Sequence, residues 1–366
     1  MSAERGEEMR AFLKSAGWGD AAVTPLLGDA STRRYFRVAQ GGRKAMLMDQ
    51  PQHAETPVAA ANATPQERRA LGYNAVARLA GADTARFIAT SNFLRAQGLS
   101  APEIYAADPA RGFVLIEDLG DDLYADILSN GADERELYGA AVDALAALHR
   151  ESAPTVLPPD KALHAYDETA LIAETDLMTD WFLPTALGRA ASAAETEEHR
   201  GRWREVLKPI LAAPSVFVHR DYHAQNLIWL PEREGLARVG LIDFQDAVAG
   251  TKSYDLVSLI EDARRDVSPA LAEAMTQRYI AAAGVDAARH RAEMAVMAAQ
   301  RNAKIAGIFA RLHKRDGKPR YLAFLPRVWG YLNRDLEHPA LAPLKAWYDR
   351  TIPMAARGNP HEGKKS

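Results

Sequence analysis

Two short apolar runs in the second half of the chain each end in polar residues that do not suit a protein core. The first run, residues 216–218, is followed by HRDYHAQN at 219–226. The second run, residues 239–242, is followed by DFQD at 243–246. Polar groups that follow buried strands this closely indicate a functional site rather than packing. This pair of segments constrains the fold more than any other feature of the sequence.

The spacing H-R-D-x-x-x-x-N, then a strand, then D-F, is typical of phosphoryl transfer in the kinase fold. Asp221 can accept a proton from an attacking hydroxyl, or orient that hydroxyl, and is the predicted catalytic base. Asn226 offers an amide oxygen and Asp243 a carboxylate, and both suit Mg²⁺. We therefore expect these three side chains to converge on one divalent ion.

The first third of the sequence predicts a small β-rich region. Residues 23–50 contain two apolar runs separated by Gly41-Gly42, which indicates a β-hairpin. Residues 65–97 predict helix, and residues 112–116 predict a further strand. The acidic connector at 117–122 is a candidate hinge.

Beyond the connector, the sequence predicts mainly helices, interrupted by the two short runs as a hairpin-like pair of strands. The predicted fold class is therefore α+β. We expect a small β-rich N-lobe at 1–118, a large and mainly helical C-lobe at 119–353, and a flexible tail at 354–366.

Composition limits the partners and the compartment. The 366 residues include 45 Lys+Arg and 48 Asp+Glu, a formal charge of −3, so no whole-molecule basic field attracts nucleic acid or an anionic membrane. The absence of cysteine excludes disulfides and thiolate chemistry. The sequence has neither a signal-peptide pattern nor a run of about 18 apolar residues, so we expect a cytoplasmic protein with no obligate protein partner.

The HRDYHAQN, IDFQD and YDL segments together resemble the aminoglycoside phosphotransferase / choline kinase superfamily, small-molecule relatives of protein kinases. More narrowly, the chain resembles the bacterial anomeric N-acetylmuramate/N-acetylglucosamine kinases of cell-wall recycling. The matching stretches are GDASTRRYFRV at 28–38, LMDQP at 47–51, IDFQDAVAGTKSYDLVSL at 242–259 and QRNAKIAGIFARLHKRDGKPRYLAFLPRV at 300–328. The resemblance implies a bilobal protein-kinase-like fold. It also implies that ATP and Mg²⁺ are used to convert the amino sugar to its 1-phosphate in peptidoglycan recycling.

The resemblance further implies which residues hold the nucleotide. In the connector, Glu117 and Leu119 would offer main-chain groups to adenine. The loop over the phosphates would contain Ser31, Thr32, Arg33 and Arg34.

The sequence departs from the kinase pattern at the phosphate clamp. The strand after the glycine pair ends in Met48-Asp49 without the expected lysine, and the helix at 86–97 has no glutamate to pair with one. Arg33, Arg34 and Arg37 are the candidates for the missing positive charge. Because side chains alternate along a strand, Arg33 and Arg37 share one face and Arg34 lies on the other.

Four residues of the helical region are candidate substrate contacts. Arg301 lies on the apolar stripe of the helix predicted at 291–315, so it requires an internal salt bridge, or a contact to the substrate or to an active-site carboxylate. Asp246 and Glu174 can bind sugar hydroxyls, and the Trp181 indole can stack on sugar C–H groups. For each of these three the alternative is a structural role.

Residues 291–334 hold ten Lys+Arg and only two acidic residues. Such a field favours an anionic or neutral sugar over a polycationic aminoglycoside, although it could equally serve ATP. His219 is interpreted as a residue that braces the catalytic segment. Asp255 is interpreted as a structural residue that begins a helix, and its carboxylate could also brace that segment.

Two other functions stay open at this point. One is a kinase of another small hydroxyl compound, such as an aminoglycoside, choline or homoserine. The other is a non-enzyme, either a nucleotide-binding pseudokinase or an RNA-associated module that uses the basic segment at 291–334. The missing Lys–Glu clamp is its best support. The intact set of Asp221, Asn226 and Asp243 argues against the pseudokinase.

Overall fold

A computed structural model describes residues 2–26, 33–51 and 58–360 of the chain. The strands are β1 (Ala22–Pro25), β2 (Arg34–Gln40), β3 (Arg43–Asp49), β4 (Ile104–Asp108), β5 (Phe113–Ile116), β6 (Val156–Leu157), β7 (Lys161–Ala162), β8 (Val216–Val218), β9 (Leu227–Trp229), β10 (Val239–Leu241) and β11 (Val248–Gly250). The helices are α1 (Ala3–Ser15), α2 (Pro65–Leu71), α3 (Tyr73–Val76), α4 (Thr84–Ala96), α5 (Tyr124–Ser129), α6 (Glu134–Leu148), α7 (Glu168–Leu177), α8 (Leu183–Leu187), α9 (Ala193–Leu211), α10 (Tyr254–Ile260), α11 (Pro269–Ala283), α12 (Ala287–Lys314), α13 (Leu325–Asp335) and α14 (Ala342–Thr351).

The chain folds into two compact units, each assembled from separate stretches of sequence. Unit 1 comprises the described residues of 1–133, 154–164 and 225–247, and unit 2 those of 134–153, 165–224 and 248–366. The lobe limits expected from the sequence, and the flexible tail at 354–366, stay predictions. Within that tail, Met354–Ala356 form a short 3-10 helix.

Unit 1 is built on a five-stranded antiparallel sheet of order β1-β2-β3-β5-β4. β2 and β3 form the predicted hairpin, with Gln40 opposite Arg43 and Gly41-Gly42 between them. Both glycines have positive φ, 57° and 80°, as a two-residue hairpin turn of this kind requires. The sheet packs against α1, where Phe12 stacks on Phe113 with 5.6 Å between ring centroids.

A second hairpin in unit 1 consists of β9 and β10, with Leu227 opposite Leu241. The prediction that the runs at 216–218 and 239–242 pair with each other is therefore wrong. β10 pairs with β9, and β8 pairs with β11 in unit 2. The sequence analysis identified β8 and β10 by their apolar runs and omitted β9 and β11, which are equally short.

Unit 2 is mainly helical and is organised around α12, which has 28 residues. α12 packs against α7 and α13. Gly307 of α12 comes so near to α7 that a Cβ there would lie 2.5 Å from the Leu177 carbonyl oxygen, so only glycine fits. The sheet of unit 1 and the helices of unit 2 confirm the α+β class. No helix within the described ranges is both long and apolar enough to cross a membrane.

Candidate active site

The β9–β10 hairpin of unit 1 places the two predicted metal ligands. Asn226 directly precedes β9 and Asp243 follows β10, and because the strands are antiparallel both lie at the same end of the hairpin. The Ile242 N–H donates to the Asn226 carbonyl oxygen at 3.1 Å, which fixes this end. Asp243 has a φ of 61°, a conformation that costs energy in a non-glycine residue and clusters at functional sites.

The carboxylate of Asp243 is engaged on one oxygen. Its Oδ1 accepts hydrogen bonds from Arg33 at 3.2 Å and from the Gln245 side chain at 3.0 Å. Among the described residues no donor reaches Oδ2, and 45% of the side chain is exposed. Burial works against the charge of Arg33, but Tyr35 and Asp243 raise the pKa of its guanidinium. A fixed positive charge therefore lies beside a carboxylate that retains an open oxygen.

A cavity of about 420 Å³ lies within unit 1, a volume typical of small-molecule sites. Its lining includes both predicted metal ligands and the connector. The apolar part of the wall includes Met46, Phe87, Ile116, Ile228 and Phe244. The polar part includes Arg37, Glu117, Asp118, Asn226 and Asp243.

The connector at this cavity leaves two main-chain groups available. The Glu117 N–H donates to the Glu103 carbonyl oxygen at 2.8 Å, and the Glu117 side chain binds Arg95 and Arg233. No hydrogen bond within the described part of the chain occupies the Glu117 carbonyl oxygen or the Leu119 N–H. An adenine edge carries one donor and one acceptor, which such a pair can satisfy.

The arginines proposed for the phosphate clamp separate as strand alternation predicts. Arg34 donates to the buried carboxylate of Asp49 at 2.5 Å. Arg37 lines the cavity and forms salt bridges of 2.8 Å with two carboxylates of the connector. Arg37 thus lines the cavity and Arg33 binds the metal-ligand candidate Asp243, whereas Arg34 binds Asp49. The predicted phosphate-loop residues Ser31 and Thr32 lie outside the described residues.

Asp221 lies in unit 2, in a segment at 219–224 that we call the catalytic loop. Asp255 accepts the main-chain N–H of His219 at 2.6 Å and that of Arg220 at 2.8 Å. His219 Nδ1 accepts the Asp221 N–H at 3.3 Å. Burial raises the pKa of Asp255 to about 7, although the two main-chain donors act in the opposite direction. Both His219 and Asp255 therefore bind the main chain of the catalytic loop.

A buried ion cluster holds the arginine of the catalytic loop. The Arg220 guanidinium donates to Glu174 Oε1 at 2.5 Å, and both side chains are only 2% exposed. Lys304 Nζ lies 3.4 Å from the same oxygen, while Tyr166 and Gln300 donate to Oε2. Burial raises the pKa of Glu174, but Lys304 and Arg220 outweigh it and lower the pKa to about 2. Protein groups thus engage both oxygens of Glu174, which favours the structural alternative for this residue.

The other predicted substrate contacts have different surroundings. Trp181 is half-buried and packs against the hydrophobic core of unit 2. Asp246, in unit 1, accepts the Ala80 N–H at 2.6 Å. Arg301 is 4% exposed and donates to the Glu261 carbonyl oxygen at 3.2 Å. Arg301 forms no salt bridge with a described residue, so the internal salt bridge considered from the sequence is not formed.

The buried charged residues of unit 2 that sequence analysis missed include Lys304 and Asp262, which are 8% and 1% exposed. Lys304 follows Arg301 by nearly one helical turn, so the test for charges on an apolar stripe could have found it. Asp262 follows the end of α10, where no periodic pattern exists to show burial.

Kinase-type phosphotransferases use an aspartate on an H-R-D loop and an Asn–Asp pair that binds the metal beside the nucleotide cavity. The described residues include both features. Comparison with known families agrees with that class. The model of the phosphotransferase enzyme family matches residues 22–295, and the chain belongs to this family.

Similar proteins narrow the class further. The N-acetylmuramate/N-acetylglucosamine kinase of Caulobacter vibrioides is 47% identical over 361 residues, which cover 98% of this chain and 99% of that protein. The structure of a microcompartment-associated aminopropanol kinase has a TM-score of 0.57 at 17% identity, over 90% of this chain and 98% of that one. An ADP-bound aminoglycoside phosphotransferase has a TM-score of 0.52 at 13% identity, over 91% and 97%. The two structures share the fold, and the chain is a phosphotransferase of the kinase type that uses a nucleotide.

Proposed function

We propose that this enzyme uses ATP to phosphorylate the anomeric hydroxyl of N-acetylmuramate and N-acetylglucosamine, giving the sugar 1-phosphate. The observation that carries the proposal is the 47% identity, over 98% of the chain, to the Caulobacter vibrioides kinase. The product would enter peptidoglycan recycling in the cytoplasm.

ATP would occupy the cavity of unit 1. The Glu117 carbonyl oxygen and the Leu119 N–H are the groups proposed to bind adenine, since neither has a partner among the described residues. Arg33 and Arg37 would supply the positive charge that kinases usually take from a lysine on β3.

Asn226 and Asp243 suit a magnesium ion. Mg²⁺ is commonly held by one or two carboxylates together with substrate phosphates, and no cluster of three or more His, Cys, Asp or Glu ligands occurs in the described residues. The open Oδ2 of Asp243 is an oxygen of the type this ion prefers. A bound Mg²⁺ would neutralise phosphate charge.

Asp221 is proposed as the catalytic base. Its carboxylate would accept the proton of the anomeric hydroxyl while that oxygen bonds to the γ-phosphorus and the bond from the γ-phosphorus to ADP breaks. Two carboxylates hold the residues that precede Asp221 in the chain. Asp255 accepts the main-chain N–H groups of His219 and Arg220, and Glu174 binds the Arg220 side chain. Asp246 and Trp181 remain proposed sugar contacts.

The test is to incubate the enzyme with ATP, Mg²⁺ and either sugar and to identify the product by phosphorus NMR. The proposal expects a sugar 1-phosphate from both. Asp221→Asn should lose turnover at least about a hundredfold and still bind ATP in calorimetry. The absence of product with both sugars, or phosphorylation at another hydroxyl, would refute the proposal.

A further inference from the structure

Arg301 carries a buried charge that forms no salt bridge with a described residue, and the more distant charges of Asp255 and Glu261 act on it. It is 4% exposed on the inward face of α12, and its guanidinium donates one hydrogen bond, to the Glu261 carbonyl oxygen. Across the described ranges no carboxylate forms a salt bridge with it. An arginine is almost never buried without a paired anion, because removing its charge from water is costly. The unpaired guanidinium therefore indicates a ligand that brings the anion.

The segment that Arg301 contacts carries more unpartnered polar groups. Asp262, the next residue after Glu261, is 1% exposed, and its Oδ2 has no hydrogen-bond partner among the described residues. Its Oδ1 accepts the Arg264 N–H at 2.8 Å. The Arg264 guanidinium is half-buried and, like that of Arg301, is without a salt bridge in the described chain. Residues 261–264 and Arg301 of α12 thus carry two guanidinium groups without a salt bridge to a described residue. They also carry one carboxylate oxygen without a hydrogen-bond partner among those residues.

His223 connects this stretch to the catalytic loop. It lies two residues after Asp221, its N–H donates to the Asp221 carbonyl oxygen at 3.1 Å, and it is 7% exposed. Its Nδ1 has no hydrogen-bond partner in the described part of unit 2. The charges of Asp221, Asp262, Arg264 and Arg301 all act on the imidazole ring. The unpartnered groups therefore lie near the His223 ring, two residues after the proposed catalytic base Asp221.

We propose that Arg301 and Arg264 bind the lactyl carboxylate of N-acetylmuramate and so set the preference of the enzyme for this sugar over N-acetylglucosamine. Asp262 and His223 hydrogen-bond hydroxyl or amide groups common to both sugars. The assignment rests on the proposed function. The chemistry is specific, since a guanidinium matches a carboxylate with two parallel N–H donors and N-acetylglucosamine has no such group.

The measurement is the ratio of kcat/KM for N-acetylmuramate to kcat/KM for N-acetylglucosamine. This ratio should fall roughly ten- to a hundredfold in Arg301→Met, and also in Arg264→Met, because each change removes charge-assisted hydrogen bonds to the carboxylate alone. In the unaltered enzyme, replacing the lactyl acid by its neutral amide should cause a similar loss. Arg301→Met should discriminate far less between acid and amide. Arg289→Met is the matched control, since Arg289 is exposed on the same helix and pairs with Glu293.

The outcomes separate this inference from the proposed function. If the unaltered enzyme phosphorylates both sugars but the ratio stays constant in the variants, the carboxylate assignment is wrong and the proposed function stands. An equal loss of kcat/KM with both sugars would also overturn the carboxylate assignment, because the arginines would then act on the phosphate or on folding. If the enzyme phosphorylates neither sugar, both fail. Should Arg301→Met not fold, Arg264→Met and the acid–amide comparison decide, since Arg264 is half-buried outside any helix.

Discussion

Glu174 offers a direct test of how the catalytic loop is held. Its carboxylate binds the Arg220 guanidinium at 2.5 Å and lies 3.4 Å from Lys304 Nζ, with all three side chains buried. Glu174→Gln keeps the size of the side chain and removes its charge. The variant leaves two buried cations without their anion, and breaking a buried pair in this way typically costs several kcal/mol.

The magnitude follows from the pKa of Glu174. Its ordinary value of 4.5 falls to about 2 in the folded protein, because Lys304 and Arg220 outweigh the effect of burial. A decrease of this size corresponds to about 3 kcal/mol of folding free energy. Because the folded pKa is lowered, this contribution is complete above about pH 4.5 and disappears as the pH falls toward 2.

The assay is urea denaturation of both proteins at pH 7 and pH 3. We expect Glu174→Gln to lower the free energy of unfolding by about 3 kcal/mol at pH 7, and the gap to shrink by about 2 kcal/mol at pH 3. Glu168→Gln is the control, since Glu168 begins the same helix but is 51% exposed and should shift stability by less than about 0.5 kcal/mol. A gap that stays constant between the two pH values would refute the electrostatic account of this cluster.

Three further changes test other parts of the molecule. Asp243→Asn removes the charge that would meet the metal, so kcat/KM in an ADP-release assay should fall at least about a hundredfold; near-normal activity would contradict the ligand assignment. Asp255→Asn leaves one buried main-chain N–H of the catalytic loop without an acceptor and should cost about 1–3 kcal/mol in urea denaturation, whereas an unchanged midpoint would show that Asp255 does not brace the loop. Gly307→Ala puts a Cβ against the Leu177 main chain and should cost at least about 2 kcal/mol, while Gly330→Ala, which meets no atom within 4 Å, should have no such cost. A similar melting temperature for the two glycine variants would contradict this packing.

The elements that could be predicted from the sequence are those whose signal is local. The Gly41-Gly42 turn, the strand at 113–116 and the placement of Asp243 after a strand all depend on fewer than ten consecutive residues. β4 at Ile104–Asp108 was missed because its apolar residues do not alternate cleanly with polar ones. The predicted pairing of β8 with β10 was wrong for another reason. A strand of three residues carries too little sequence pattern to specify its partner.

Two buried charges that the sequence analysis proposed as substrate contacts have different surroundings in unit 2. Glu174 meets Arg220, 46 residues away, and Lys304, 130 residues away, and so becomes part of an internal cluster. Arg301 donates a hydrogen bond to a carbonyl oxygen and forms no salt bridge with a described residue. Periodicity can place both side chains inside the protein, but whether a charge is neutralised depends on groups that only the tertiary fold brings near. Removing a charge from water is costly for Glu174 and for Arg301 alike. A substrate anion would therefore gain most by binding at Arg301, which has no salt bridge with a described residue.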